Sequence, residues 1–210
     1  MKPEYTHITV ILDRTGSMEP IRDDTIGGFN TFLKKQKAEP GQATLTLVQF
    51  DSQDPYELIQ RFRPIGDVPE LTRETYVPRA STPLLDALGR GINDLEECLG
   101  KLDEQDRPGK VVVVVITDGE ENASREFRKE QIEKMIKKKT EKDGWEFVFL
   151  SADLSAIGDA MKLGFRDNAT RSFVKSSEGV SDCMEDLSAH ISAYRSLPSK
   201  KPIDFSKKKR

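Results

Sequence analysis

Residues 11–19, ILDRTGSME, end an apolar run on an aspartate and then set oxygen-bearing side chains at every second position: Asp13, Thr15 and Ser17. Gly16, between the last two, allows the chain to turn. Two further segments offer the same chemistry. ASTPLLDAL, residues 80–88, carries Thr82 at the mouth of a leucine-patterned stretch, and TDGEEN, residues 117–122, places Asp118 directly after a run of valines. Together Asp13, Thr15, Ser17, Thr82 and Asp118 give five oxygen donors, two of them anionic. Such a set suits a hard divalent cation. Mg2+ takes near-octahedral oxygen coordination, keeps several waters and uses one or two protein carboxylates. No His or Cys lies in these segments, which argues against soft or imidazole-preferring metals. With neutral hydroxyls in inner positions the ion stays electron-poor and can accept one more oxygen, ideally a carboxylate from outside.

Each segment alone has an ordinary structural explanation. A strand-end aspartate can bond its own backbone in a turn, and Asp118-Gly119 is a common turn pair. Thr82 before Pro83 reads as a helix N-cap with proline at the first helical position. Asp86, one turn further on, reads as complementing the helix N-terminus. Glu120 and Glu121 read either as a solvated turn or as groups that shape a partner's approach. The functional reading rests on all three segments arriving, in order, at one edge of a sheet.

The elements that would carry them there are legible. VVVVVIT (111–117) is a continuous β-branched run and reads as a fully buried strand of a parallel sheet; ITVIL (8–12), TLTLVQF (44–50) and WEFVFLSA (145–152) are similar. YELIQRF (56–62) follows strand 44–50 too closely for a crossover helix, so the pair is expected to be an antiparallel hairpin at an edge. SFVK (172–175) is a sixth candidate strand. Leu85, Leu88, Ile92, Leu95, Leu99 and Leu102 recur at helical spacing, as do Val180, Met184, Leu187, Ile191 and Tyr194. Further helices are expected over 20–38, 127–142 and 153–164. Gly27-Gly28, inside the first of these, suggests a close backbone contact. Alternating strands and helices predict an α/β domain: a doubly wound, Rossmann-like, mainly parallel six-stranded sheet with one antiparallel edge strand and helices on both faces. In such a sheet ligands gather at the carboxyl ends of the strands, near a topological switch point.

On these residues the sequence resembles the von Willebrand factor A (VWA) domain with its metal-ion-dependent adhesion site (MIDAS). The family pattern of Asp-x-Ser-x-Ser, a threonine on a second loop and an aspartate after the central strand appears as Asp13-Arg14-Thr15-Gly16-Ser17, Thr82 and Asp118. Thr15 replaces the first serine; its hydroxyl is retained, while its methyl could crowd the ion. The wording DRTGSM, STPLLDAL and ITDGEEN looks most like bacterial or phage intracellular members. The resemblance covers roughly residues 5–195. It implies a protein–protein interaction module without catalysis of its own, in which Mg2+ (or Mn2+ or Ca2+) captures a carboxylate of a partner protein.

Other readings fare less well. A Mg2+-dependent phosphatase-like hydrolase of the haloacid dehalogenase type needs a second aspartate where Thr15 stands. A P-loop nucleotidase pattern is absent. The only histidines, His7 and His190, read as structural or exposed. A VWA domain without metal is the remaining alternative. The net charge of −3 gives no support for nucleic-acid binding, and no stretch approaches the length needed to cross a bilayer. Cys98 and Cys183, far apart, read as free thiols in a reducing, cytoplasmic setting. The domain is expected to span 1–197, with a basic flexible tail over 198–210; from Lys200 to Arg210 it holds six Lys or Arg and one Asp. Such a tail reads first as solvated disorder, otherwise as a contact for an acidic partner or nucleic acid.

Overall fold

The computed structural model describes residues 1–197 and 202–206. Among them six strands form one sheet: β1 (Lys2–Asp13), β2 (Ala43–Phe50), β3 (Glu57–Pro64), β4 (Pro108–Thr117), β5 (Glu146–Ser151) and β6 (Thr170–Ser172). Their spatial order is β3-β2-β1-β4-β5-β6, parallel throughout except for β3, which is antiparallel to β2 at the edge. The doubly wound architecture is therefore as expected. β6 is shorter than the run 172–175 and starts earlier. The chain leaves the sheet at Phe173, where Ser151 O takes its N–H, and then turns tightly, with Ser176 N donating to Val174 O.

The continuous apolar runs are explained by burial on both faces. Along β4, Val112, Val114 and Ile116 enter one core while Val111, Val113 and Val115 enter the other. Along β1, Ile8, Val10 and Leu12 face the first core and Ile11 the second. The first core is closed by α1 (Arg22–Ala38) and α5 (Ser177–Ser196). The second is closed by α2 (Leu84–Gly100), α3 (Lys129–Asp143) and α4 (Leu154–Lys162). A helical face gains stability from such burial at roughly 25 cal/mol per Å2 of apolar surface.

The glycine pair of α1 splits in role. A Cβ on Gly28 would stand 2.7 Å from Met184 Cγ of α5, whereas one on Gly27 would meet nothing within 4 Å. Gly28 therefore sets how closely α1 and α5 approach. Buried cations finish both helices. Arg195 donates to Gln36 O at the end of α1, and Lys110 Nζ donates to the carbonyls of Tyr194, Arg195 and Leu197 at the end of α5.

His7 is structural. It is buried, stacks on Phe62 at a centroid distance of 4.0 Å and bonds Thr44 and Thr9. Burial pushes its pKa down to about 3, so the ring is neutral near neutral pH. Both cysteines are free thiols, Cys183 buried and Cys98 partly so.

Packing continues past the expected boundary at Leu197. Ile203 is buried in the first core, its N–H donates to Glu146 Oε2, and Phe205 N donates to Asn168 O. The rest of the basic stretch, 198–201 and 207–210, lies outside the described residues.

Candidate metal centre

β1 and β4 are neighbours at the middle of the sheet, and the chain leaves them in opposite directions, toward β2 and toward β5. This is a topological switch point, where the loops part and leave a crevice. Asp13 is the last residue of β1, and Asp118 follows the last residue of β4. Both are buried, at 0% and 1% exposure.

A run of hydrogen bonds joins them. Thr117 Oγ1 donates to Asp13 Oδ2 at 2.6 Å, and Thr15 N donates to Asp13 Oδ1 at 2.7 Å. The hydroxyls of Thr15 and Ser17 are 3.1 Å apart, and Ser17 Oγ donates to Asp118 Oδ1 at 2.6 Å. Asp118 Oδ2 is buried and accepts no hydrogen bond among the described residues; Lys175 Nζ stands 2.9 Å from it as an ion pair. Burial pushes the Asp13 pKa up to about 7; the bonds from Thr117 and Thr15 pull it back, and the nearby Asp118 adds to the rise. Two carboxylates are thus held close together out of water, where a bound cation relieves both desolvation and mutual repulsion.

Thr82 is placed differently. It is buried, and its backbone is clamped to the third loop: its N–H donates to Asn122 Oδ1 at 2.9 Å and its carbonyl accepts from Asn122 N at 3.0 Å. The second loop, which carries Thr82, is also tied to the first, with Gly16 N donating to Ala80 O and Arg79 N to Arg14 O. Ala80 holds the left-handed conformation (φ 59°) at that contact, a cost of order 1–3 kcal/mol that surrounding structure must offset. Unlike the other four residues, Thr82 has no side-chain hydrogen bond to the group among the described residues.

The capping role expected of Thr82 is not what the structure shows. Pro83 occupies the cap position of α2 without a side-chain bond. The helix N-terminus is instead met from the third loop, by Glu121 Oε2 accepting from Leu85 N and Ser124 Oγ from Asp86 N. Glu121 is therefore no solvated turn residue; it also accepts from Ala123 N, Ser124 N and Ser124 Oγ. Asp86 likewise does more than complement its helix. Its carboxylate takes the N–H groups of Arg125, Glu126 and Phe127. Phe127 then packs on Gly89, where a Cβ would stand 2.5 Å from the ring.

Several supporting residues escaped the sequence reading. Asp51, directly after β2, accepts from Arg14 Nε at 2.6 Å and Arg79 Nε at 2.9 Å, so one buried carboxylate ties the first loop to the second. Burial raises the Asp51 pKa, but the hydrogen bonds from Arg14 and its other donors leave it below the ordinary value. Tyr76 Oη donates to Asp13 O at 2.6 Å. A signal existed for Asp51: like Asp13 and Asp118, it stands where an apolar strand run ends.

The donor set is hydroxyl-rich; no group of three or more His, Cys, Asp or Glu side chains that could hold a metal occurs among the described residues. The residues fit a hard cation in another way, as two buried carboxylates bracketing a hydroxyl pair, with one buried carboxylate oxygen that accepts no hydrogen bond among the described residues.

No family model matches the sequence, and no curated protein does. Solved structures do match in shape. A von Willebrand factor type A protein from Catenulispora acidiphila aligns at 10% identity and a TM-score of 0.56, over 89% of this chain and 42% of its own. The chain has the VWA fold. Proximal thread matrix protein 1 from the mussel byssus, described with a zinc-occupied MIDAS motif, aligns at 14% identity and a TM-score of 0.57, over 90% of this chain and 46% of its own. The manganese-loaded TRAP protein of Plasmodium vivax aligns at 12% and 0.55, over 86% and 72%. This VWA fold thus spans less than half of the first two proteins. The identities are too low to carry residue roles, which rest on the geometry above.

Proposed function

We propose that this protein is a metal-dependent protein–protein interaction module. Asp13, Thr15, Ser17, Thr82 and Asp118 would hold one divalent cation, Mg2+ or else Mn2+ or Ca2+, at the carboxyl edge of the sheet. When bound, the ion supplies a Lewis-acidic position for a carboxylate of a partner protein. The observation that carries this reading is the hydrogen-bonded run from Thr117 through Asp13, Thr15 and Ser17 to Asp118, which joins segments about a hundred residues apart at the switch point. Zinc in the byssus protein's MIDAS and manganese in TRAP support a divalent ion in this fold.

The roles divide by chemistry. Asp13 and Asp118 provide the negative charge, Thr15 and Ser17 present neutral oxygens, and Thr82 approaches from the loop fixed to Asn122. Asp51, Arg14 and Arg79 hold the first two loops together so that the donors need little rearrangement. The module has no catalysis of its own in this proposal, since the second aspartate of a phosphatase motif is replaced by Thr15. A cytoplasmic setting, resting on the two free thiols, belongs to the same proposal. No helix among the described residues is long and apolar enough to cross a membrane.

Asp13→Ala is expected to abolish both Mg2+ binding and partner capture. Affinity purification from the native cell, with and without EDTA, compares it with wild type. Because Asp13 is fully buried, Ser17→Ala, at an exposed position, is run in parallel to separate misfolding from loss of the ion. A partner retained by the Asp13 variant in EDTA would overturn the metal bridge.

A further inference from the structure

The proposed donors leave one contact unexplained. Lys175, in the loop between β6 and α5, directs its ammonium to Asp118 Oδ2 at 2.9 Å, yet that oxygen accepts no hydrogen bond among the described residues. The pair is a charge contact without the directional bond that would lock it. Asp118 is wholly buried at this point, whereas the Lys175 side chain is 43% exposed. The loop is short and sharply folded: Ser176 N donates to Val174 O, Ser176 Oγ accepts from Gly179 N at the head of α5, and a Cβ on Gly179 would press on Val174 O at 2.3 Å. Lys175 is thereby presented to the site rather than left to wander.

Resting on the metal reading above, we propose that Lys175 is a tethered competitor of the divalent cation, setting the affinity of the site for metal. A single ammonium offsets one of the two buried carboxylates; a divalent ion offsets both Asp13 and Asp118. The ion therefore displaces the lysine once its concentration is high enough, and below that the lysine keeps Asp118 neutralised. Displacement is sterically open. An open groove lined by Leu154, Arg171, Val174, Lys175 and Gly179 adjoins the loop; Arg171 is paired with Asp186, and Asp182, on the same groove, is a carboxylate toward which the released ammonium can turn. Only the lysine end of the pair is exposed, and the contact lacks hydrogen-bond geometry, so the ammonium holds the buried carboxylate without locking onto it. Its removal is expected to change metal affinity several-fold.

The test uses the full chain and Mn2+ as probe. Isothermal titration compares wild type, Lys175→Met and Lys175→Arg. The methionine variant is expected to bind Mn2+ several-fold tighter than wild type, and the arginine variant close to wild type. Melting adds a readout that a merely structural lysine would not produce: Lys175→Met melts below wild type in EDTA, since Asp118 has lost its counter-charge, and gains more than wild type on Mn2+ addition. Hydrogen exchange on wild type needs no variant to fold, and amides 174–176 are expected to exchange faster when Mn2+ is added. Equal or weaker Mn2+ binding by Lys175→Met, with wild type binding normally, overturns the competitor role alone. Binding by neither protein removes the metal reading and this inference together.

Discussion

A single side chain, Glu121, shows how much of the site is built by residues that would never touch an ion. Its carboxylate accepts from the N–H groups of Leu85, Ala123 and Ser124 and from the Ser124 hydroxyl. It therefore caps α2 from a distance of 36 residues while shaping the loop that follows Asp118. A helix N-terminus leaves its first N–H groups without intrahelical partners, and losing a side-chain acceptor there costs about 0.5–2 kcal/mol. Glu121→Ala is expected to fall at the upper end of that range in EDTA, because the loop bonds are lost with the cap. Thr82→Ala should cost less under the same conditions, since its hydroxyl caps nothing, and should weaken Mg2+ binding instead. Urea unfolding midpoints in EDTA decide the matter; equal losses for the two variants would return the cap to Thr82. The local pattern Thr82-Pro83 pointed to the wrong residue because N-cap statistics see only the adjacent chain. The actual acceptor comes from another loop, and spacing along the sequence carries no trace of it.

Among the elements, α1 and α5 meet through a glycine whose neighbour in sequence meets nothing. Gly28 faces Met184 Cγ at a distance a Cβ would find at 2.7 Å, and Gly27 faces open space. Glycine inside a helix costs about 1 kcal/mol relative to alanine. Gly27→Ala is therefore expected to stabilise the protein by about 0.5–1 kcal/mol, mostly by narrowing the unfolded ensemble. Gly28→Ala should destabilise it, because Met184 must shift and the helices part. Denaturant titrations of the two variants test this directly, and effects of the same sign would show that the close approach of α1 to α5 is not set there. The pair could be singled out from sequence, but which glycine faces the partner could not. The sheet was far more legible, since β-branched runs such as 111–117 admit few environments other than a strand covered on both faces. β6 was placed late and too long because SFVK mixes a strand residue with the turn that carries Lys175. The five proposed ligands were visible as types and spacing, whereas Thr117, Asp51 and Tyr76 act through contacts that exist only once the strands are side by side.

For the whole molecule, the site is a product of folding. Ser17 and Asp118, bonded at 2.6 Å, are 101 residues apart in the chain, and the unfolded protein has no reason to bring them together. Any ion held there binds the native state alone, so it must stabilise the fold by mass action, by about 2.7 kcal/mol at a hundredfold excess over Kd. For a domain of this size each kcal/mol moves Tm by roughly 2–4 °C, which places the expected rise at about 5–11 °C with saturating Mg2+ or Mn2+. The rise has to be separated from general screening, because 33% of the residues are charged and salt weakens exposed ion pairs without regard to any site. Sodium chloride at matched ionic strength is therefore the control, and Ser17→Ala is the variant: Ser17 is exposed and its hydroxyl bonds Thr15 and Asp118, so the variant should keep the fold and lose most of the shift. A divalent-specific rise that Ser17→Ala abolishes would locate the stabilisation at the switch point. A rise that sodium reproduces, or that the variant retains in full, would mean that the buried carboxylates are held by the protein's own groups and that Lys175 is their permanent counter-ion.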